Sequence, residues 1–324
     1  MLGLLALGPA AQADPGDGDI GIQLLQGPAG REQDSRAHLY IVDHLAPGTT
    51  IKRDVRVVNK SPDRHRIDVY PAAATVDEEK FVFAVDRTAN ELTSWVTLDA
   101  GRLDLAPRDD AVVKATIVVP ATATAGEHYG VIWASVASAP SPSGGIQRVN
   151  RVGVRLYLDI GPGGEPRSDF RTGDLTATRS ESGDPSLTVR VTNTGGRALD
   201  MTGSVDLSAG PAGQRAGPFP VTGTATLSPG QAGTVVVQLP RDLPNGPWTA
   251  ELALKSGLVS HSLTGQVTFP EPGGAGVPGV VMTRLSSPWT IAGGSLTVGL
   301  LTLAGLIVAA RRARNYRGPG SHRL

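Results

Sequence analysis

The stretch Val152-Gly-Val-Arg-Leu-Tyr-Leu-Asp-Ile160 places an apolar residue at every second position. Side chains along a strand point alternately to opposite faces, so this pattern lays Val152, Val154, Leu156, Leu158 and Ile160 on one buried face. The same reading applies to Ile51, Val55 and Val57, which alternate with Lys52, Asp54 and Arg56. It applies again to Ile67 with Val69, and to Val113, Ala115, Ile117 and Val119. The run over residues 129–136 is apolar on both faces, as in a central strand.

A second series follows the first. It comprises Leu187/Val189/Val191, Val235/Val237/Leu239, Trp248/Ala250/Leu252/Leu254 and Leu263/Val267/Phe269. Turn-forming runs separate the strands, among them Asn59-Lys-Ser-Pro62, Asn193-Thr-Gly-Gly196, Ser228-Pro-Gly230 and Pro244-Asn-Gly246. Many short strands punctuated in this way predict β-sandwiches. The two series also share a plan. Each has a strand ending in asparagine (Asn59, Asn193), then a Leu-x-Pro (Leu105, Leu227), then an alternating strand running to proline (Pro120, Pro240). Each then has a glycine six residues on, Gly126 or Gly246, before a strand bearing Trp133 or Trp248. The chain therefore reads as all-β, two tandem immunoglobulin-like sandwiches over residues 14–163 and 166–270. The Gly161-Pro-Gly-Gly-Glu-Pro166 run is the expected linker, and residues 271–288 are an expected Gly/Pro-rich stalk.

The two ends set the expected compartment. Residues 1–13 read MLGLLALGPAAQA, a short apolar run closed by Ala11-Gln-Ala13, which fits signal-peptide cleavage before Asp14. The basic start of such a peptide is missing, so the segment reads as the end of a longer one. Residues 289–310 carry no charge; as a helix they would span about 30 Å of hydrocarbon. Arg311, Arg312, Arg314 and Arg317 follow. The positive-inside rule then predicts a transmembrane helix over 289–310, a cytoplasmic tail over 311–324, and an extracellular position for the rest.

Composition removes several function classes. Among 324 residues there is no cysteine, so disulfide scaffolds, thiolate zinc sites and cysteine nucleophiles are excluded. Lysine plus arginine balance aspartate plus glutamate at 30 each, with the basic excess in the tail, which predicts no nucleic-acid partner. No two of the six histidines stand at helical spacing, and neither a phosphate-binding loop nor a dinucleotide fingerprint is present. No metal or cofactor is expected. Asp43-His44 lacks a serine in a nucleophile-elbow context. The chain is therefore expected to be a binding protein and not an enzyme. A wall hydrolase or peptidase using Asp43 and His44, or a scaffold of a surface complex, are the alternatives.

The most informative polar run is Arg87-Thr-Ala-Asn-Glu-Leu-Thr-Ser-Trp95. Thr88 followed by Glu91 reads as a capping box for a short helix whose Leu92 and Trp95 pack downward. Arg87, Asn90 and Glu91 are the candidate ligand-binding residues. Trp133 and Trp248, with apolar neighbours, read as core.

Several of these runs carry a family resemblance. Gly21-Ile-Gln-Leu-Leu25, Arg36-Ala-His-Leu-Tyr-Ile-Val-Asp43, Pro47-Gly-Thr-Thr-Ile51, Val55-Arg-Val-Val-Asn59 and Gly126-Glu-His-Tyr-Gly130 with Trp133 resemble the start of the WxL-interacting protein family. The resemblance covers nearly the whole chain, most specifically residues 20–160. The richness in Arg, Ala and Gly makes it similar to an actinobacterial version. It implies a peptidoglycan-binding first domain, a host-binding-like second domain, a C-terminal membrane helix and a basic tail. The expectation is thus a membrane-anchored, extracellular cell-wall binding protein. Its partner would be peptidoglycan or a cell-surface protein, met through the membrane-distal domain; the oligomeric state stays open.

Overall fold

The computed structural model describes residues 19–28, 30–137, 148–222, 225–274 and 276–282. The expected signal peptide, membrane helix and tail lie outside them. Among the described residues no helix is long and apolar enough to cross a membrane.

The first sandwich contains β1 (Ile20–Leu24), β2 (Ile41–Leu45), β3 (Thr50–Asn59), β4 (His65–Asp77), β5 (Lys80–Phe83), the helical turn α1 (Glu91–Trp95), β6 (Val96–Leu98), β7 (Arg102–Leu105), β8 (Asp110–Val118), β9 (Gly126–Ala137) and β10 (Val149–Ile160). One sheet has the order β1-β3-β8-β6, the other β2-β10-β9-β4-β5, with β7 also on β4. This is the two-sheet arrangement of an immunoglobulin-like sandwich. The alternating residues meet between the sheets: Val55, Val57, Val113, Ala115, Ile117, Val154, Leu156, Leu158 and Ile160 are all buried in one core. β2 runs parallel to β10 but pairs only with Leu156–Ile160.

The second sandwich contains β11 (Phe170–Arg179), β12 (Pro185–Asn193), β13 (Leu199–Asp200), β14 (Thr202–Ser208), β15 (Ala216–Pro220), β16 (Thr226–Leu227), β17 (Ala232–Gln238), β18 (Trp248–Ser256), β19 (Val259–Val267), β20 (Val277–Pro278) and β21 (Val280–Met282). Its sheets are β17-β12-β11-β20 and β15-β14-β18-β19-β21. Trp248, Phe269 and the apolar positions of β12, β17 and β18 fill its core. Part of the expected stalk thus belongs to the sandwich: β20 pairs with β11 and β21 with β19. Once the strand pattern resumes, pairing satisfies backbone groups that a free linker would leave to water.

The shared plan of the two halves has a physical basis in two buried asparagines. The Asn59 Nδ2 donates to the carbonyls of Asp63 (2.7 Å) and Leu105 (3.3 Å). The Asn193 Nδ2 donates to those of Arg197 (2.8 Å) and Leu227 (2.9 Å). In each case the amide ties a turn four residues on to the leucine of the Leu-x-Pro run. Gly126 and Gly246 both sit at positive φ (117° and 111°), where a side chain would be strained.

Candidate functional site

The residues on β10 that do not face the core are Arg151, Gly153, Arg155 and Tyr157. They lie on the outer face of their sheet, and that face gathers half of the chain's aromatic residues: Tyr40, Tyr70, Phe81, Phe83, Tyr129, Trp133 and Tyr157. Arginines lie across the rings. The Arg87 guanidinium sits 4.2 Å from the Tyr70 centroid, Arg151 4.7 Å from Trp133, Arg155 4.8 Å from Phe81 and Arg36 4.6 Å from Tyr157. Each such contact stabilises by about 0.5–1 kcal/mol in water and up to about 2 when desolvated. Gly153 makes room for the layer, because a Cβ there would stand 2.7 Å from the Trp133 ring. Trp133 is buried, but under Arg151 and Phe83 on this outer face rather than in the sandwich core.

Toward the second sandwich the same face becomes a charged seam. Asp200, on β13, is buried. It accepts hydrogen bonds from the Tyr157 hydroxyl (2.9 Å) and the Thr226 hydroxyl (2.8 Å). It also pairs with Arg36 (2.8 Å) and Arg155 (3.5 Å). The Glu127 carboxylate accepts from the Ala198 N–H (2.6 Å) and the Tyr129 hydroxyl (2.7 Å). Glu165, in the expected linker, pairs with both Arg31 and Arg197. Burial pushes the Glu127 carboxyl up, more than those two donors and Arg36 lower it. Burial also pushes up Asp43, although Arg53 stands 2.5 Å away. For Arg36, burial opposes the charge, but Asp200, Tyr157 and Glu127 outweigh it and the net direction is upward. These groups are arranged to hold two domains together.

The other half of β10 is open. β2 covers Leu156–Ile160, while residues 149–155 pair with β9 on one side and, among the described residues, with no strand on the other. Val149, Asn150, Arg151 and Gly153 are exposed. At the far end of this edge lies a recess of about 540 Å³ lined by Arg64, His65, Arg66, Arg148, Asn150 and Asp19, with Val136 and Ala137.

The expected site residues lie elsewhere on this sheet and are already engaged. Asn90, not Thr88, is the N-cap: its Oδ1 accepts from the Thr93 N–H (3.0 Å), and its own N–H donates to the Thr93 hydroxyl (2.8 Å). Thr88 instead donates its hydroxyl proton to the Val85 carbonyl. The Asn90 Nδ2 also donates to the Tyr129 carbonyl (2.8 Å), and this tertiary anchor selects the cap. Arg87 pairs with Asp68 (2.9 Å), and Glu91 stands 3.7 Å from His128. Asp43 faces Arg53, and His44 binds Asp159 (2.6 Å) and the Gly163 carbonyl (3.2 Å). Sequence reasoning passed over Arg151, Arg155 and Asp200. For the first two a signal was present, since they fill the second phase of the very alternation that identifies β10.

No protein-family model matches the chain, and no curated protein matches it. Solved structures are similar to it in part. The CupB2 chaperone of Pseudomonas aeruginosa is 12% identical, with 69% of this chain and 97% of that chain covered and a TM-score of 0.37. The Salmonella enterica SafA pilin in complex with the SafB chaperone gives 10%, 75%, 95% and 0.38 in the same order. The Escherichia coli chaperone DraB gives 10%, 67%, 91% and 0.35. The expectation of a membrane-anchored wall-binding protein is corrected here: the solved structures named above are chaperones and a pilin–chaperone complex.

Proposed function

We propose that the chain is a non-catalytic protein-binding module that takes an extended segment of a partner protein onto the open edge of β10. The observation that carries this reading is the half-covered strand. β2 lies along β10 as far as Leu156 and stops, leaving its line vacant beside residues 149–155. An exposed sheet edge presents unpaired N–H and C=O groups, and an added strand satisfies them all at once. The other outermost strands of the first sandwich are shorter: β1 has five residues, β5 four and β6 three. On the second sandwich the edge of β17 is met by the Thr222 N–H, which donates to the Val236 carbonyl (2.9 Å).

A photo-crosslinking amino acid replacing Asn150 tests this in intact cells, with Val112 on β8 as an exposed control position. A discrete polypeptide adduct is expected from position 150 and not from position 112. No adduct at 150, or the same adduct at both positions, sinks the reading.

A further inference from the structure

Among the described residues, arginines outnumber carboxylates around the open edge. Asp68 is the carboxylate nearest the middle of the outer face, and it is already shared by Arg87 (2.9 Å) and Arg102 (3.0 Å). Arg64 has Asp104 at 3.0 Å. Among the described residues, Arg66 and Arg151 have no carboxylate partner. Arg151 stands opposite Ser135 of β9, which stands opposite Asp68 of β4, so its natural cross-strand acid is taken. Its guanidinium is instead held over Trp133, with the charge still facing solvent. Arg66 lines the recess at the end of the edge, where the Asn150 Nδ2 donates to the carboxylate of Asp19 (3.4 Å), the one acidic residue among its described lining.

We propose that the segment bound along β10 is acidic, with carboxylates on its outward-facing side placed over Arg66 and Arg151. This rests on the strand-addition reading and names its partner's chemistry. A strand laid beside residues 149–155 projects every second side chain over the outer face, where the unpaired guanidinium groups stand. A second copy of this chain would bring the same cations to the edge and repel; an acidic segment complements them and is steered toward them.

The test uses the full-length protein and three synthetic decapeptides that alternate valine with glutamate, serine or lysine. Fluorescence titration reads affinity, and amide hydrogen exchange reads protection of residues 149–155. The Val–Glu peptide is expected to bind at least about tenfold more tightly than Val–Ser at low salt. That advantage should shrink at about 0.5 M salt, where exposed charges are screened. Arg66→Gln with Arg151→Gln should bring Val–Glu down to the Val–Ser level with at most a small fall in melting temperature, from the lost Arg151–Trp133 contact. Equal binding of Val–Glu and Val–Ser, both protecting 149–155, overturns the acidic partner and leaves strand addition standing. Tight Val–Glu binding without protection there overturns strand addition and this placement with it. Absence of Val–Glu binding overturns the inference, while crosslinking from position 150 decides the edge separately.

Discussion

Asp200 takes two hydroxyl donors and lies against two arginines in a place water barely reaches. Removing one member of such a set leaves the others charged and unpaired. Asp200→Ala should cost about 3–5 kcal/mol, read by urea denaturation, while Asp200→Asn, which keeps an acceptor for Tyr157, should cost less. A loss below about 1 kcal/mol for the alanine variant would mean that the seam does not hold Arg36 as described. Glu127 makes a pH-dependent counterpart. Its folded pKa is raised above the ordinary 4.5, so the folded state binds the proton more tightly than the unfolded one. The stabilisation is therefore complete below the unfolded value and is lost as pH rises through the folded one. Asp184 works the other way: hydrogen bonds from Arg241 and Ser182 lower it to about 2, so its contribution is present above 3.8 and fades as pH falls toward 2. Stability should rise as the solution is acidified from neutrality toward about 4.5 and fall below about 4. Glu127→Gln should reduce the rise, leaving the part that Asp43 contributes, and spare the fall. None of the seam was legible in the sequence. Its members, at positions 36, 127, 155, 165, 197 and 200, are far apart in the chain, and alternation says which face is buried without saying what covers the other face.

Elements were more legible, because strand burial is periodic. Val113, Ala115, Ile117 and Val119 are buried in the order the alternation predicts, as are Val189, Val191, Val235 and Val237. The run over 129–136 is apolar on both faces because β9 has the sandwich core on one side and the arginine–aromatic layer on the other. The helical cap was misread because two boxes overlap, and only the contact from Asn90 to β9 decides between them. The β4–β5 hairpin carries a further surprise. Its two turn residues, Glu78 and Glu79, have φ values of 43° and 63°, where glycine or asparagine is usual. Glu79 is kept there by the second sandwich: its carboxylate accepts from the Thr234 N–H (2.8 Å) and its carbonyl from the Thr226 N–H (2.8 Å). Glu78 is exposed and has no comparable role. Glu78→Gly should therefore stabilise by about 1 kcal/mol, because a left-handed conformation costs an ordinary residue about that much. Glu79→Gly should gain nothing or lose stability, since relief of φ is offset by the lost acceptor. Thermal melts of the two variants separate these effects, and equal shifts would show that the Glu79 contact is idle.

At the scale of the whole molecule the question is whether two sandwiches unfold as two. The sequence pointed to independent modules joined by residues 161–166, and a Gly/Pro run by itself favours that. The structure ties this run at both ends: His44 reaches the Gly163 carbonyl, and Glu165 joins Arg31 to Arg197. Beside it, Tyr157, Phe81 and Val42 of the first sandwich pack with Ala198 of the second in one apolar cluster. Separating the domains would expose those rings and leave Arg36, Glu127 and Asp200 facing water or one another without their partners. That cost is several kilocalories per mole, comparable to the stability of a single domain, so neither sandwich should open while the other stays intact. Calorimetry of the intact protein should accordingly show one transition for the two sandwiches, with van't Hoff and calorimetric enthalpies equal. Combining Asp200→Ala with Arg197→Ala removes two charges that the second sandwich contributes to the seam, one paired with Arg36 and the other with Glu165, while leaving each core untouched. In that variant the single transition should split into two, one per sandwich, and residues 161–166 should become open to proteases that spare the parent. Two transitions already present in the parent would show that the seam positions the domains without coupling them.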